Sequence, residues 1–262
     1  MIFLLKMQEI YTDLKTVIEQ GIPAVFCVVT ATTGSTPRKA GSKMLVFADG
    51  TVKGTIGGGS IEFRVIQDAL KTIECGTPYS KKFNLEDDLK MQCGGTMEVY
   101  FESIGCLPKL YIFGGGHIGK ALAGYAAGLG FKPFVFDPRE GIFENWSLPG
   151  IETQVGDYLQ TIDALTFDKN TYIVVVTHQH EYDEKVLTAC AGRDYAYLGM
   201  IGSKRKVAEI RKKAIENHNV SPEILDKVDM PIGIPFAAET PAEIAISIIA
   251  KMIDVKNTLK KS

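Results

Sequence analysis

Leu110-Tyr-Ile-Phe-Gly114-Gly-Gly-His-Ile-Gly119, running on through Lys120-Ala-Leu-Ala to Leu129, is the stretch that decides the fold. A short apolar run ends in a glycine cluster, and a helix-like stretch begins at once. A second apolar run, Phe134-Val-Phe136, closes on Asp137, 18 residues beyond Gly119. This order of strand, glycine turn, helix, strand and acid is the Rossmann dinucleotide-binding fingerprint. Each position has a task. Gly114 makes the tight turn, Gly116 lets backbone approach a pyrophosphate, and Gly119 brings helix against strand. The helix start at His117 offers unpaired N–H groups and partial positive charge to phosphate oxygens. A carboxylate at Asp137 suits a ribose diol, and Arg139 keeps a 2′-phosphate in play, so NAD and NADP both remain open.

Outward from this unit, β-like runs at 133–137, 151–155, 172–177 and 195–201 alternate with helical stretches near 181–191, 203–218 and 240–255. Such alternation predicts a parallel sheet covered on both faces. Leu107-Pro108 marks a boundary. The expected organisation is α/β: a Rossmann-like doubly wound domain over 107–262 and a smaller α+β domain over 1–106. In the latter, 7–20 reads as an amphipathic helix, Ala24 to Thr30 as a strand and Ala31 to Ser42 as a loop. Met44 to Phe47 and Thr51 to Thr55 form a hairpin around Asp49-Gly50. Gly57-Gly58-Gly59 leads into a helix over 61–73, and strands follow at 82–85 and 96–102.

Composition narrows the function classes. Twenty-nine basic and 31 acidic residues give a net charge of -2, which provides no global field for nucleic acid or membrane. The five cysteines, Cys27, Cys75, Cys93, Cys106 and Cys190, are odd in number and contain no C-x-x-C pair. A disulfide framework and a structural zinc site are therefore disfavoured, and a reducing cytoplasm is expected. Met1 to Leu5 is too short for an export signal, and no apolar run reaches membrane-spanning length.

Several blocks carry chemistry. Gly34-Ser-Thr-Pro-Arg38-Lys39-Ala-Gly41-Ser-Lys43 sets three cations among small residues, and the helix entry at Gly57, Gly58 and Gly59 can complete an anion cradle. A solvated loop is the plainer alternative. Met91-Gln-Cys93-Gly-Gly95 can expose a thiol as a soft ligand or sulfur carrier, or pack it structurally. Thr177-His178-Gln-His180-Glu-Tyr-Asp183 follows a strand at the carboxyl edge of the sheet. If that strand continues, His178 and His180 face one way and Asp183 adds a third donor, but the set falls short of a firm metal site and equally suits substrate contacts or capping. Gly199-Met-Ile-Gly-Ser203-Lys204 ends the next strand and suits either an anion near a helix start or an exposed basic face.

Together these blocks, with Gly54-Thr-Ile-Gly-Gly-Gly59 and Glu62, resemble the XdhC/CoxI family of accessory proteins, and they do so in the family's order along nearly the whole chain. The resemblance implies a molybdenum cofactor, as molybdopterin or its dinucleotide form. It also implies a xanthine dehydrogenase-type molybdenum hydroxylase as client, a cysteine desulfurase as second partner, and a homodimer. On that reading Cys93 is the soft group near molybdenum or sulfur. Arg38, Lys39, Lys43, the Gly57–Gly59 turn and Glu62 hold the pterin, and the Rossmann cradle takes NAD(P) or the nucleotide end of the pterin. Two rivals stand beside it. One is an NAD(P)-dependent oxidoreductase using Asp137 for ribose and His178 or His180 as acid or base. The other is a nucleotide-sensing interaction module without chemistry.

Overall fold

A computed structural model of the chain describes residues 2–73, 78–86 and 94–259. The chain divides into two compact units, Met1–Cys106 and Leu107–Ser262.

The first unit is an antiparallel sheet between two helices. Its strands are β1 (Ala24–Thr33), β2 (Lys43–Phe47), β3 (Val52–Gly54), β4 (Tyr79–Asn84) and β5 (Thr96–Ile104), in the order β3-β2-β1-β5-β4. Alternation along β1 and β2 sends side chains to opposite faces. Val25, Cys27, Met44 and Val46 meet Ile61, Val65 and Ala69 of α2 (Gly59–Thr72). Ala24 and Leu45 meet Ile10 and Val17 of α1 (Ile2–Gln20). The hairpin turns at Asp49-Gly50 as expected, with Asp49 accepting from the Thr51 amide and hydroxyl. One boundary differs from the sequence pattern. Residues 31–33 are not loop but continue β1, because Thr32 and Thr33 pair with Met97 and Thr96 across a register shift after Val29. The Thr33 and Thr96 hydroxyls bond at 2.6 Å.

The second unit is a parallel sheet of β6 (Lys109–Phe113), β7 (Lys132–Asp137), β8 (Glu152–Val155), β9 (Thr171–Val175) and β10 (Tyr197–Met200), ordered β10-β9-β6-β7-β8. Order reverses between β6 and β9, so the topological switch point lies at their carboxyl ends. Both faces are covered. Leu110 and Ile112 point to the core shared with α3 (His117–Gly128) and α8 (Pro241–Leu259). Tyr111 and Phe113 point to the core shared with α4 (Tyr158–Ala164), α5 (His180–Ala191) and α6 (Lys204–His218). Strands buried on two sides must be apolar throughout, and the five residues of β9 are all buried. The one-turn helix α7 (Pro222–Leu225) precedes a segment whose Asp229 accepts from the Tyr197 hydroxyl and the Gly233 amide, closing the β10 edge. No helix among the described residues is long and apolar enough to cross a membrane.

Candidate functional site

The glycine turn after β6 is built by close approaches that only glycine permits. A Cβ at Gly114, where φ is 127°, would lie 2.2 Å from the Val176 carbonyl oxygen; one at Gly119 would lie 1.9 Å from the Gly114 carbonyl oxygen. Gly114 thus locks β6 to the end of β9, and Gly119 seats α3 on the turn. Gly116 is different: a Cβ there would meet nothing within 4 Å. Gly116 is also the N-cap of α3 and no side chain caps it, so the first-turn amides face an open approach beside exposed His117. Uncapped amides at a helix start suit an anion.

Asp137, at the end of β7, behaves differently from the sequence expectation of a carboxylate offered to ribose. It is fully buried. Its Oδ2 accepts from the Gly115 amide at 2.8 Å and from Arg139 Nη2 at 2.7 Å. Its Oδ1 accepts from the Arg139 amide at 3.0 Å and Arg139 Nε at 2.8 Å. Burial pushes its pKa up, but the hydrogen bonds from the Arg139 side chain, the Gly115 amide and the Arg139 amide outweigh this and hold it below the usual range. A carboxylate has about four acceptor sites, so this one is saturated. Phe143 covers Gly115 from the loop after β7, with Trp146 edge-on at 5.0 Å.

Beneath the same edge sits Tyr158, which no sequence motif singles out. Its only local signal is the turn Gly156-Asp157, in which Asp157 caps α4 through the Leu159 and Gln160 amides. The Tyr158 ring packs edge-on against Phe113 at 5.9 Å and Tyr182 at 5.5 Å. Its hydroxyl is buried with no partner among the described residues, a situation that costs about 1–3 kcal/mol. Burial, with Asp137 nearby, pushes its pKa well above the ordinary tyrosine value.

At the ends of β9 and β10 a cavity of about 630 Å³ opens between α5 and α6, lined by Thr177, His178, His180, Ser203, Arg205 and Lys206 among others. Lys204 is exposed at the start of α6 and is not part of its lining. The strand does not continue to the histidines: β9 ends at Val175, His178 stacks obliquely on Tyr182 at 5.3 Å, and His180 opens α5. Asp183 is buried and spent, accepting from the Thr177 amide and hydroxyl and from Lys206 Nζ. Its carboxylate ties together Thr177 and Lys206, two residues of the cavity lining. Ser203 caps α6 through the Lys206 amide. No group of three or more metal-binding side chains occurs among the described residues.

In the N-terminal unit three separated glycine segments converge. A Cβ at Gly57 would lie 2.8 Å from Pro37, and one at Gly95 would lie 2.3 Å from the Ser35 carbonyl oxygen. The 33–37 turn therefore touches both the α2 entry and the Gly94-Gly95 strand lead. Gly58 and Gly59 have positive φ, open space around them and no side-chain cap on the helix that follows. Arg38 and Lys39 are exposed, and neither has a side-chain partner among the described residues. Lys43 is not available to a ligand in the same way: its Nζ donates to the Gly41 carbonyl at 2.8 Å and sits 5.6 Å from the Tyr11 ring. Glu62 reaches back to the turn, accepting from the Thr55 hydroxyl and from the Ile56 and Gly58 amides. It braces the cradle from within. Cys93 and Cys75 lie outside the described residues. Cys27 and Cys190 are buried, and burial pushes both thiols up to about 12; Cys106 donates to the Ile73 carbonyl at 2.9 Å.

Comparison with known proteins agrees with this two-part arrangement. The XdhC Rossmann domain matches residues 110–252, and the XdhC and CoxI family matches residues 17–83. An Escherichia coli K12 protein named Uncharacterized protein YqeB is 32% identical over 95% of this chain and 46% of its own length. A Bacillus subtilis protein, named as a probable xanthine dehydrogenase component, is 26% identical over 62% of this chain and 47% of its own. The chain thus spans about half the length of these relatives. A crystal structure described as a xanthine dehydrogenase from Bacillus halodurans matches with a TM-score of 0.53 and 21% identity, over 94% of this chain and 95% of that one, a likeness of fold. With its Rossmann half matched from β6 into α8 and the N-terminal match ahead of it, the chain belongs to the XdhC/CoxI family.

Proposed function

We propose that this chain is an accessory factor that holds molybdenum cofactor, supports its sulfuration and delivers it to a xanthine dehydrogenase-type molybdenum hydroxylase. The observation that carries the reading is the convergence of the 34–38, 57–59 and 94–95 segments on one cradle. Its residues fit the phosphate end of a pterin. Gly59 leaves backbone open to approach, the N-cap residue Gly58 supplies no side chain to the first-turn amides of α2, and Arg38 and Lys39 carry unspent charge. The group supplies, when bound, a molybdenum centre with an exchangeable oxo or sulfido ligand, for which Cys93 is the soft side chain of this half. In the Rossmann half, the open Gly116 face and α3 start take the diphosphate of a nucleotide, which is NAD(P) or the nucleotide end of the pterin. A cysteine desulfurase and a second copy of the chain complete the expected partners.

Anaerobic purification after co-expression with cofactor biosynthesis, followed by molybdenum and pterin analysis, tests this. Both are expected in the protein, with retention lowered in Arg38→Ala and in Cys93→Ala. Absence of both from the unaltered protein overturns the reading.

A further inference from the structure

The carboxyl edge of the parallel sheet makes a choice that its sequence leaves open. Recognition of an unmodified ribose needs a carboxylate with lone pairs to spare for two hydroxyl donors. Asp137 has none to spare. Each of its oxygens already accepts two N–H groups, and one of its donors is the amide of Gly115 in the phosphate-binding turn. Freeing it for ribose would unpair a buried carboxylate and loosen the turn that is to hold the diphosphate.

The unspent groups at this edge are donors. Arg139 uses Nε and Nη2 on Asp137, which fixes the guanidinium plane, and its Nη1 side has no partner among the described residues; the side chain is 38% exposed. Tyr158 adds a buried hydroxyl that is likewise unpaired among the described residues, on a ring packed against Phe113 at the end of β6. These are independent features: one is a bidentate ion pair on the β7 side, the other an orphaned hydroxyl at the start of α4. Both call for an acceptor oxygen. A guanidinium held in a plane with one edge free is matched to a phosphate.

We propose that this edge reads a phosphate on the ribose of a bound nicotinamide dinucleotide, so that the Rossmann half takes the 2′-phosphorylated form, with Arg139 and Tyr158 as the residues that select it. The proposal rests on the nucleotide-binding part of the function proposed above and decides its ligand. Asp137 is then a positioning residue: it aims Arg139 and ties that aim to the glycine turn.

Calorimetric titration of the full chain with NADP+ and with NAD+ tests the selection, with 2′,5′-ADP and ADP as probes of the adenosine half alone. Because charge-assisted hydrogen bonds to phosphate are strong, NADP+ is expected to bind at least about tenfold more tightly than NAD+ at low salt, and the ratio to narrow as salt is raised. Arg139→Lys keeps a cation beside Asp137, and so keeps the fold, but it lacks the planar fork; the ratio is expected to fall about tenfold. Tyr158→Phe removes one oxygen. It is expected to weaken NADP+ about three- to tenfold, to leave NAD+ unchanged and not to lower the thermal midpoint of the free protein, since the hydroxyl it removes has no partner to lose. A merely structural tyrosine would show the reverse pattern. Equal or tighter binding of NAD+, or an unchanged NADP+ affinity in Tyr158→Phe, overturns the proposal and leaves nucleotide binding standing. Binding of neither dinucleotide overturns the proposal together with the nucleotide-binding part of the function.

Discussion

A methyl group added at position 116 and one added at position 119 ask different questions of the same turn. Gly116 has φ of −71°, which any residue adopts, and open space where its Cβ would lie. Gly116→Ala is therefore expected to change stability by less than about 0.5 kcal/mol while blocking approach of a diphosphate. Gly119→Ala drives its Cβ onto the Gly114 carbonyl oxygen and is expected to cost more than about 3 kcal/mol. Urea unfolding beside nucleotide titration separates the two, and a destabilised Gly116→Ala would show that the open face is structural. Asp137 makes a pH prediction with a definite sign. Its folded pKa is depressed, so its stabilisation is fully present above the ordinary carboxylate value of about 4 and is lost as pH falls through the lowered folded value. The unaltered protein should lose stability steeply on that acid limb, and Asp137→Asn should show a shallower one. Coincident slopes would mean that the depressed carboxylate contributes nothing to acid stability. Nothing in the sequence at position 137 announces this. The residue type is right for ribose, but how its lone pairs are spent is decided by Arg139 and Gly115, and side-chain pairing of that kind leaves no periodic trace.

Elements are more legible in this sequence than partners. The strands and helices of the parallel sheet follow from local periodicity and glycine punctuation, and the start of α8 forms a capping box from adjacent residues, with Glu243 accepting from the Glu239 and Thr240 amides and Thr240 accepting from Glu243. β1 runs longer than its own residues suggest because Thr32 and Thr33 gain strand conformation from β5, far away in sequence. The spacing of His178 and His180 fits one strand face, but β9 stops at Val175 and His180 begins α5, so strand alternation does not apply. Glu62 illustrates the same limit. The family resemblance sets it against a ligand, yet it serves the α2 entry by gathering the Thr55 hydroxyl and the Ile56 and Gly58 amides onto one oxygen. Glu62→Ala is therefore expected to destabilise by about 1–3 kcal/mol and to speed hydrogen exchange at the Ile56 and Gly58 amides, while Glu62→Gln recovers part of the loss. Unchanged exchange at those two amides would show that the turn holds without its carboxylate.

At the scale of the whole molecule, the two halves satisfy their cores separately. In the first unit both faces of the antiparallel sheet are covered by the unit's own helices, α2 on one side and α1 on the other. In the second, α3 and α8 close one face of the parallel sheet and α4, α5 and α6 the other, so among the described residues both clusters are built from that unit alone. A domain of about 150 residues buries roughly 70% of the surface its unfolded chain exposes, enough for independent stability. The sheet order adds a second argument. The phosphate-binding turn, Asp137, Arg139, Tyr158 and the cavity at the ends of β9 and β10 are all carried by elements between β6 and α6. A protein beginning at Leu107 should therefore unfold in one cooperative transition and keep the dinucleotide affinity of the full chain within about twofold, whereas molybdenum and pterin retention, assigned to the 34–38, 57–59 and 94–95 cradle, should be lost from it. Differential scanning calorimetry with and without NADP+ reads the first two outcomes and metal analysis the third. A non-cooperative melt would mean that the parallel sheet needs the N-terminal unit to fold, and retained molybdenum would move the cofactor site to the Rossmann half.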